Sequence, residues 1–108
     1  MRKVYLTLNT LIQLKLEPGT TIPEVIDELD YSFFDGTGNA EIEDSEIRSM
    51  ELKGEDKAKV NFYLIIRIDE GIEISHFVHE LTWRILDTTE KATLLDVKTL
   101  DFEVTDSK

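Results

Sequence analysis

The chain has 108 residues, 41% of them hydrophobic and 32% charged, and its 23 acidic against 12 basic side chains leave a formal net charge of -11. That length fits one domain, residues 1–108, with enough apolar residues for one core. Three classes are disfavoured: a direct nucleic-acid binder needs a basic surface, a membrane-spanning helix needs about 20 successive apolar residues, and a disulfide scaffold needs cysteines, of which there are none.

The first element is a strand. Val4, Leu6, Leu8, Ile12, Leu14 and Leu16 alternate with Tyr5, Thr7, Asn9, Gln13, Lys15 and Glu17, the period of a half-buried strand. Because Arg2 and Lys3 lead into this alternating run, no signal peptide is expected, and the cytoplasm is the expected compartment. Pro18-Gly19 ends the strand. The period then changes. Ile22, Val25, Ile26, Leu29 and Phe33 fall at i, i+3, i+4, i+7 and i+11, which predicts an amphipathic helix of about three turns. Thr21 with Glu24 fits a capping box, and Pro23 lies in the first turn. Asp35-Gly36-Thr37-Gly38-Asn39 reads as a loop. A less regular strand follows over residues 40–52. There Ile42, Met50 and Leu52 share a parity that Ile47 does not, so a bulge or bend near Ser45 is expected. Gly54-Glu55-Asp56-Lys57 reads as a hairpin turn.

The second half repeats the first. A shift of 52 residues superposes Asn9 on Asn61, Gly19 on Gly71, Ile22 on Ile74, and Glu28-Leu29 on Glu80-Leu81. It also matches Asp35, Thr37, Ala40, Asp44 and Glu51 with Asp87, Thr89, Ala92, Asp96 and Glu103, making ten identities over 44 ungapped positions. Repeat 1 spans about 2–54 and repeat 2 about 55–106. Val60, Phe62, Leu64, Ile66 and Ile68 form the strand face of the second half, and Ile74, Phe77, Val78, Leu81 and Ile85 its helical stripe. Two strand–helix–strand units in tandem predict an α+β, ferredoxin-like βαββαβ sandwich: a four-stranded antiparallel sheet with two helices on one face.

The segments Glu28-Leu29-Asp30-Tyr31-Ser32-Phe33, Ala40-Glu41-Ile42-Glu43-Asp44-Ser45-Glu46-Ile47 and Asp101-Phe102-Glu103-Val104-Thr105-Asp106-Ser107-Lys108 resemble a group of small phage and prophage proteins of undefined function. Many of those are a single strand–helix–strand unit of about half this length, and this chain resembles two of them in tandem. The second half departs from the pattern, with Thr82-Trp83-Arg84-Ile85 in place of the Asp-Tyr-x-Phe segment. The resemblance implies an origin on mobile elements and carries no activity.

No residue pattern marks an enzyme, a cofactor or a metal. His76 and His79 share a helix face, but they align with Glu24 and Asp27 on the solvent side of the first half. No nucleophile elbow or phosphate-binding glycine loop is present. Two surfaces remain as candidates. One is acidic: Asp27, Glu28 and Asp30, with Glu41, Glu43, Asp44 and Glu46. The other is the sheet face expected to stay open, carrying Tyr5, Leu11, Gln13, Tyr63, Ile65 and Arg67, joined by Leu95 and Val97. The expectation is a non-enzymatic binding protein of phage type. Its carboxylates would occupy a basic surface on a host nucleic-acid-handling protein, as anti-CRISPR proteins do. The alternative is a self-associating module, a homodimer through the open face.

Overall fold

A computed structural model describes residues 2–35 and 38–107. The chain forms β1 (Arg2–Leu16), α1 (Ile22–Asp27), β2 (Asp30–Asp35), β3 (Ala40–Leu52), β4 (Lys57–Ile68), α2 (Ile74–Glu80), β5 (Leu81–Asp87) and β6 (Ala92–Ser107). Four strands make one antiparallel sheet in the order β3-β4-β1-β6, while β2 and β5 make a separate antiparallel ribbon.

Alternation in the two central strands builds the core. Val4, Leu6, Leu8, Ile12 and Leu14 of β1 and Val60, Phe62, Leu64, Ile66 and Ile68 of β4 are almost wholly shielded from water. Thr10 breaks the apolar row, but its hydroxyl donates to the Val60 carbonyl at 2.9 Å, so no buried donor is stranded. The ribbon covers this face. Tyr31, Phe33 and Trp83 lie around Phe62 with ring centroids 4.9, 5.2 and 5.4 Å from it. The helices close the ends of the layer through Ile22, Val25 and Ile26 of α1 and Phe77 of α2.

The chain is therefore mostly β, and the expected ferredoxin-like βαββαβ plait is not what it forms. The two three-turn helices are replaced by helices of six and seven residues, each followed by a strand. The reason lies in the spacing. Leu29 and Phe33, like Leu81 and Ile85, are four apart, an interval that suits one face of a helix and one face of a strand equally. Between them stand Tyr31 and Trp83, and with these aromatics the row becomes a period-two strand face. The capping box is also absent: Thr21 is the N-cap residue of α1, but its side chain makes no cap hydrogen bond.

β3 carries two register shifts, between Ile42 and Asp44 and between Ile47 and Ser49, on either side of Ser45. Each extra residue reverses the parity, so Ile42, Ile47 and Met50 all turn toward the core. Of the expected loop after β2, Gly36 and Thr37 lie outside the described residues. At its ends the Asp35 carboxylate accepts from the Ala40 amide at 2.9 Å. The turn after β3 is a hairpin, closed by Lys53 N–H donating to the Lys57 carbonyl at 2.9 Å.

Pairing follows a pseudo-two-fold axis. Asn9 pairs with Asn61 and Ser32 with Arg84, in both cases residues related by the 52-residue shift. The shifts in β3 at Glu43 and Arg48 recur in β6 at Leu95 and Leu100. Each of the four ladders joins a strand from residues 2–54 to one from residues 55–107.

Candidate functional site

Antiparallel partners share a face, so the registers decide which side chains leave the core. On the uncovered side of the four-stranded sheet lie Tyr5, Leu11 and Gln13 of β1 with Tyr63, Ile65 and Arg67 of β4. Tyr5 and Tyr63 stack with centroids 6.2 Å apart, and the Arg48 guanidinium sits 3.9 Å above the Tyr63 ring. These six residues are half-buried by their own neighbours, apart from the exposed Arg67. Val97 does not join them: it pairs with Ile12 and turns to the core. Leu95 is an extra residue in a bulge and is exposed.

The acidic candidates divide between two layers. Asp27 ends α1, Glu28 caps it and Asp30 opens β2. Glu41, Asp44 and Glu46 lie on β3 opposite Arg67, Ile65 and Tyr63, and so border the uncovered face. Glu43, in a bulge, bonds Arg67 and lies 3.6 Å from Lys3. The Arg67 guanidinium holds its carboxyl below the usual range, more through the hydrogen bond than through charge alone. Glu46 bonds Arg48 at 2.6 Å and Glu28 bonds Lys91 at 2.9 Å. All seven carboxylate residues are exposed. β6, the opposite edge, adds exposed Asp96, Asp101 and Glu103.

One groove brings together a single member of each acidic set. It lies between α1 and the middle of β3, has a volume of about 540 Å³, and is lined by Asp27 from one side and Glu46 from the other. A second groove of about 550 Å³ lies between α2 and β6. The two correspond under the 52-residue shift. On their helix sides Pro23, Ile26, Asp27 and Leu29 match Ser75, Val78, His79 and Leu81. On their strand sides Ile47, Arg48, Ser49 and Met50 match Thr99, Leu100, Asp101 and Phe102.

The most exposed large apolar side chains are not those of the sheet face. Among the described residues Leu95, Leu100, Phe102 and Val104 of β6 are of this kind, and Leu100 is 46% exposed. The sequence held a signal for two of them. The 52-residue shift places Leu95 and Leu100 at the bulge positions that Glu43 and Arg48 occupy in β3, where side chains meet solvent. His76 and His79 are exposed on α2, and among the described residues no three His, Cys, Asp or Glu side chains converge as metal ligands would. Among the described residues no helix is long and apolar enough to cross a membrane. No protein-family model, curated protein or solved structure matches this chain.

Proposed function

We propose that this chain is a non-enzymatic binding protein whose acidic edge covers a basic surface on a protein partner. The observation that carries this reading is the placement of Glu41, Glu43, Asp44 and Glu46 along β3, a free edge of the four-stranded sheet, with every one of them exposed. The ion pairs of Glu43 with Arg67 and Lys3 and of Glu46 with Arg48 are surface pairs, screened by solvent, so a partner's cations can replace the internal ones at little cost. A net charge of -11 would speed encounter with a basic surface and make binding salt-sensitive. The resemblance to phage proteins suggests a host nucleic-acid-handling protein as that partner.

Self-association through the uncovered face is the weaker reading. Tyr63 is already stacked on Tyr5 and covered by Arg48, which leaves little free apolar surface there. The test is capture by tagged protein from bacterial lysates at low and raised salt. A basic nucleic-acid-binding protein recovered at low salt, released at raised salt, and lost with the Glu41→Gln/Asp44→Asn/Glu46→Gln variant supports the reading. Recovery of the bait alone, with a dimer mass that Tyr63→Asp abolishes, refutes it in favour of self-association.

A further inference from the structure

We propose that the groove between α1 and β3 seats an extended partner segment in which apolar and basic residues alternate. This rests on the acidic-edge reading and specifies where and how the partner's chain is held. The floor is apolar: Ile26 and Leu29 are buried, and Ile47 and Met50 are half-buried beside them. Asp27 stands on the helix side, and Glu46, bonded to Arg48 at 2.6 Å, on the strand side. Asp27 makes no ion pair with any described residue, so its charge is uncompensated in the free protein. On the strand side Arg48 also lines the groove, paired with Glu46 and lying over the Tyr63 ring, so Asp27 is the carboxylate left for a partner's cation.

The shape favours an extended chain. Six successive residues of β3, 45–50, line the groove, so both parities of the strand reach it. Only a groove that wraps the strand's free edge meets both parities, because alternate side chains point to opposite faces. Among the described residues no strand pairs with β3 on that edge. An added segment can bond the open edge over Asp44–Ile47, the regular stretch between the two register shifts, and drop alternate side chains onto the floor.

The second groove shows that the acidity is not a demand of the fold. At the positions equivalent to Asp27 and Glu46 the second half has His79, which lines its groove, and Lys98, while Asp101 lines that groove where the first has Ser49. The same architecture thus tolerates these positions without their carboxylates. In the first half they are free to serve recognition, and complementarity selects lysine or arginine in the occupant.

The test follows backbone amide signals of the full chain by NMR while a hexapeptide of alternating valine and lysine is added at low ionic strength. A valine–glutamate hexapeptide is the control. Shifts confined to residues 26–29 and 44–50, absent with the control, are expected. Asp27→Asn with Glu46→Gln should weaken binding roughly fivefold with an otherwise unchanged spectrum, since both side chains are exposed. His79→Asp with Lys98→Glu should add a weaker second set of shifts around residues 78–81 and 98–102. Equal shifts in both grooves, or binding indifferent to Asp27 and Glu46, overturns the proposal. Shifts on the uncovered face that vanish with Glu41→Gln/Glu43→Gln overturn the groove while leaving the acidic-edge reading intact. No shift with either peptide overturns the groove as well, and lysate capture then decides the broader reading by itself.

Discussion

Phe62 is where the two layers meet. It has no exposed surface, and three aromatic rings from the ribbon lie within 5.5 Å of its centroid. Phe62→Ala should cost about 3–5 kcal/mol, a large share of a domain's usual stability, and a fall in the urea midpoint would measure it. Trp83, the single tryptophan, stacks on Phe33, so its emission reports the same event. Tyr31, in this cluster, has its phenol pKa raised, first by burial and then by Asp44 and Glu46, against the lowering effect of its Ser45 hydrogen bond. The native state therefore favours the protonated phenol. The stability this confers is complete below the ordinary tyrosine pKa of about 10 and is lost as pH rises through the native value. An alkaline absorbance titration should show a late phenolate step that Tyr31→Phe removes. Glu43 has the opposite sign: its contribution is present above the ordinary carboxylate range and fades as pH falls through the depressed value.

The strands differ in how strictly their register is held. The β1–β4 ladder runs from Arg2 to Gln13 without a shift, and one face of it is the core. An alanine inserted between Leu8 and Asn9 would turn half of β1 inside out and should abolish the cooperative thermal transition seen by circular dichroism. β3 is more forgiving. Deleting Arg48, the extra residue of its second bulge, leaves Ile47 opposite Phe62 and Ser49 opposite Asn61. The expected cost is about 1 kcal/mol, from the contact with the Tyr63 ring, and the melt should stay cooperative. The two core strands were legible from their alternation, with the correct faces. The ribbon was not, because Leu29 and Phe33 satisfy both periods and local spacing cannot choose between them. The aromatic packing of Tyr31, Phe33 and Trp83 on Phe62 decides it.

Among the described residues no strand pairs with another strand of its own half. β1 and β4 are joined to each other, each edge strand pairs with the other half's central strand, and the ribbon takes one strand from each half. The molecule should therefore unfold in one transition, with fluorescence and circular dichroism coincident. Residues 1–54 expressed alone should be unstructured as a monomer and should gain strand content only on self-association, as read by light scattering with circular dichroism. A folded monomer of that segment would contradict the pairing scheme.

The amino-acid order by itself determined the acidity, the 52-residue correspondence and the buried faces of β1 and β4, because charge is a matter of counting and a strand's parity is local. The tertiary structure decided what the segments after the helices become, since a shared spacing of four is resolved only by the layer it packs on. It also decided which carboxylates meet. Asp27 and Glu46 are 19 positions apart in the chain, and only the tertiary structure brings both to the lining of one groove.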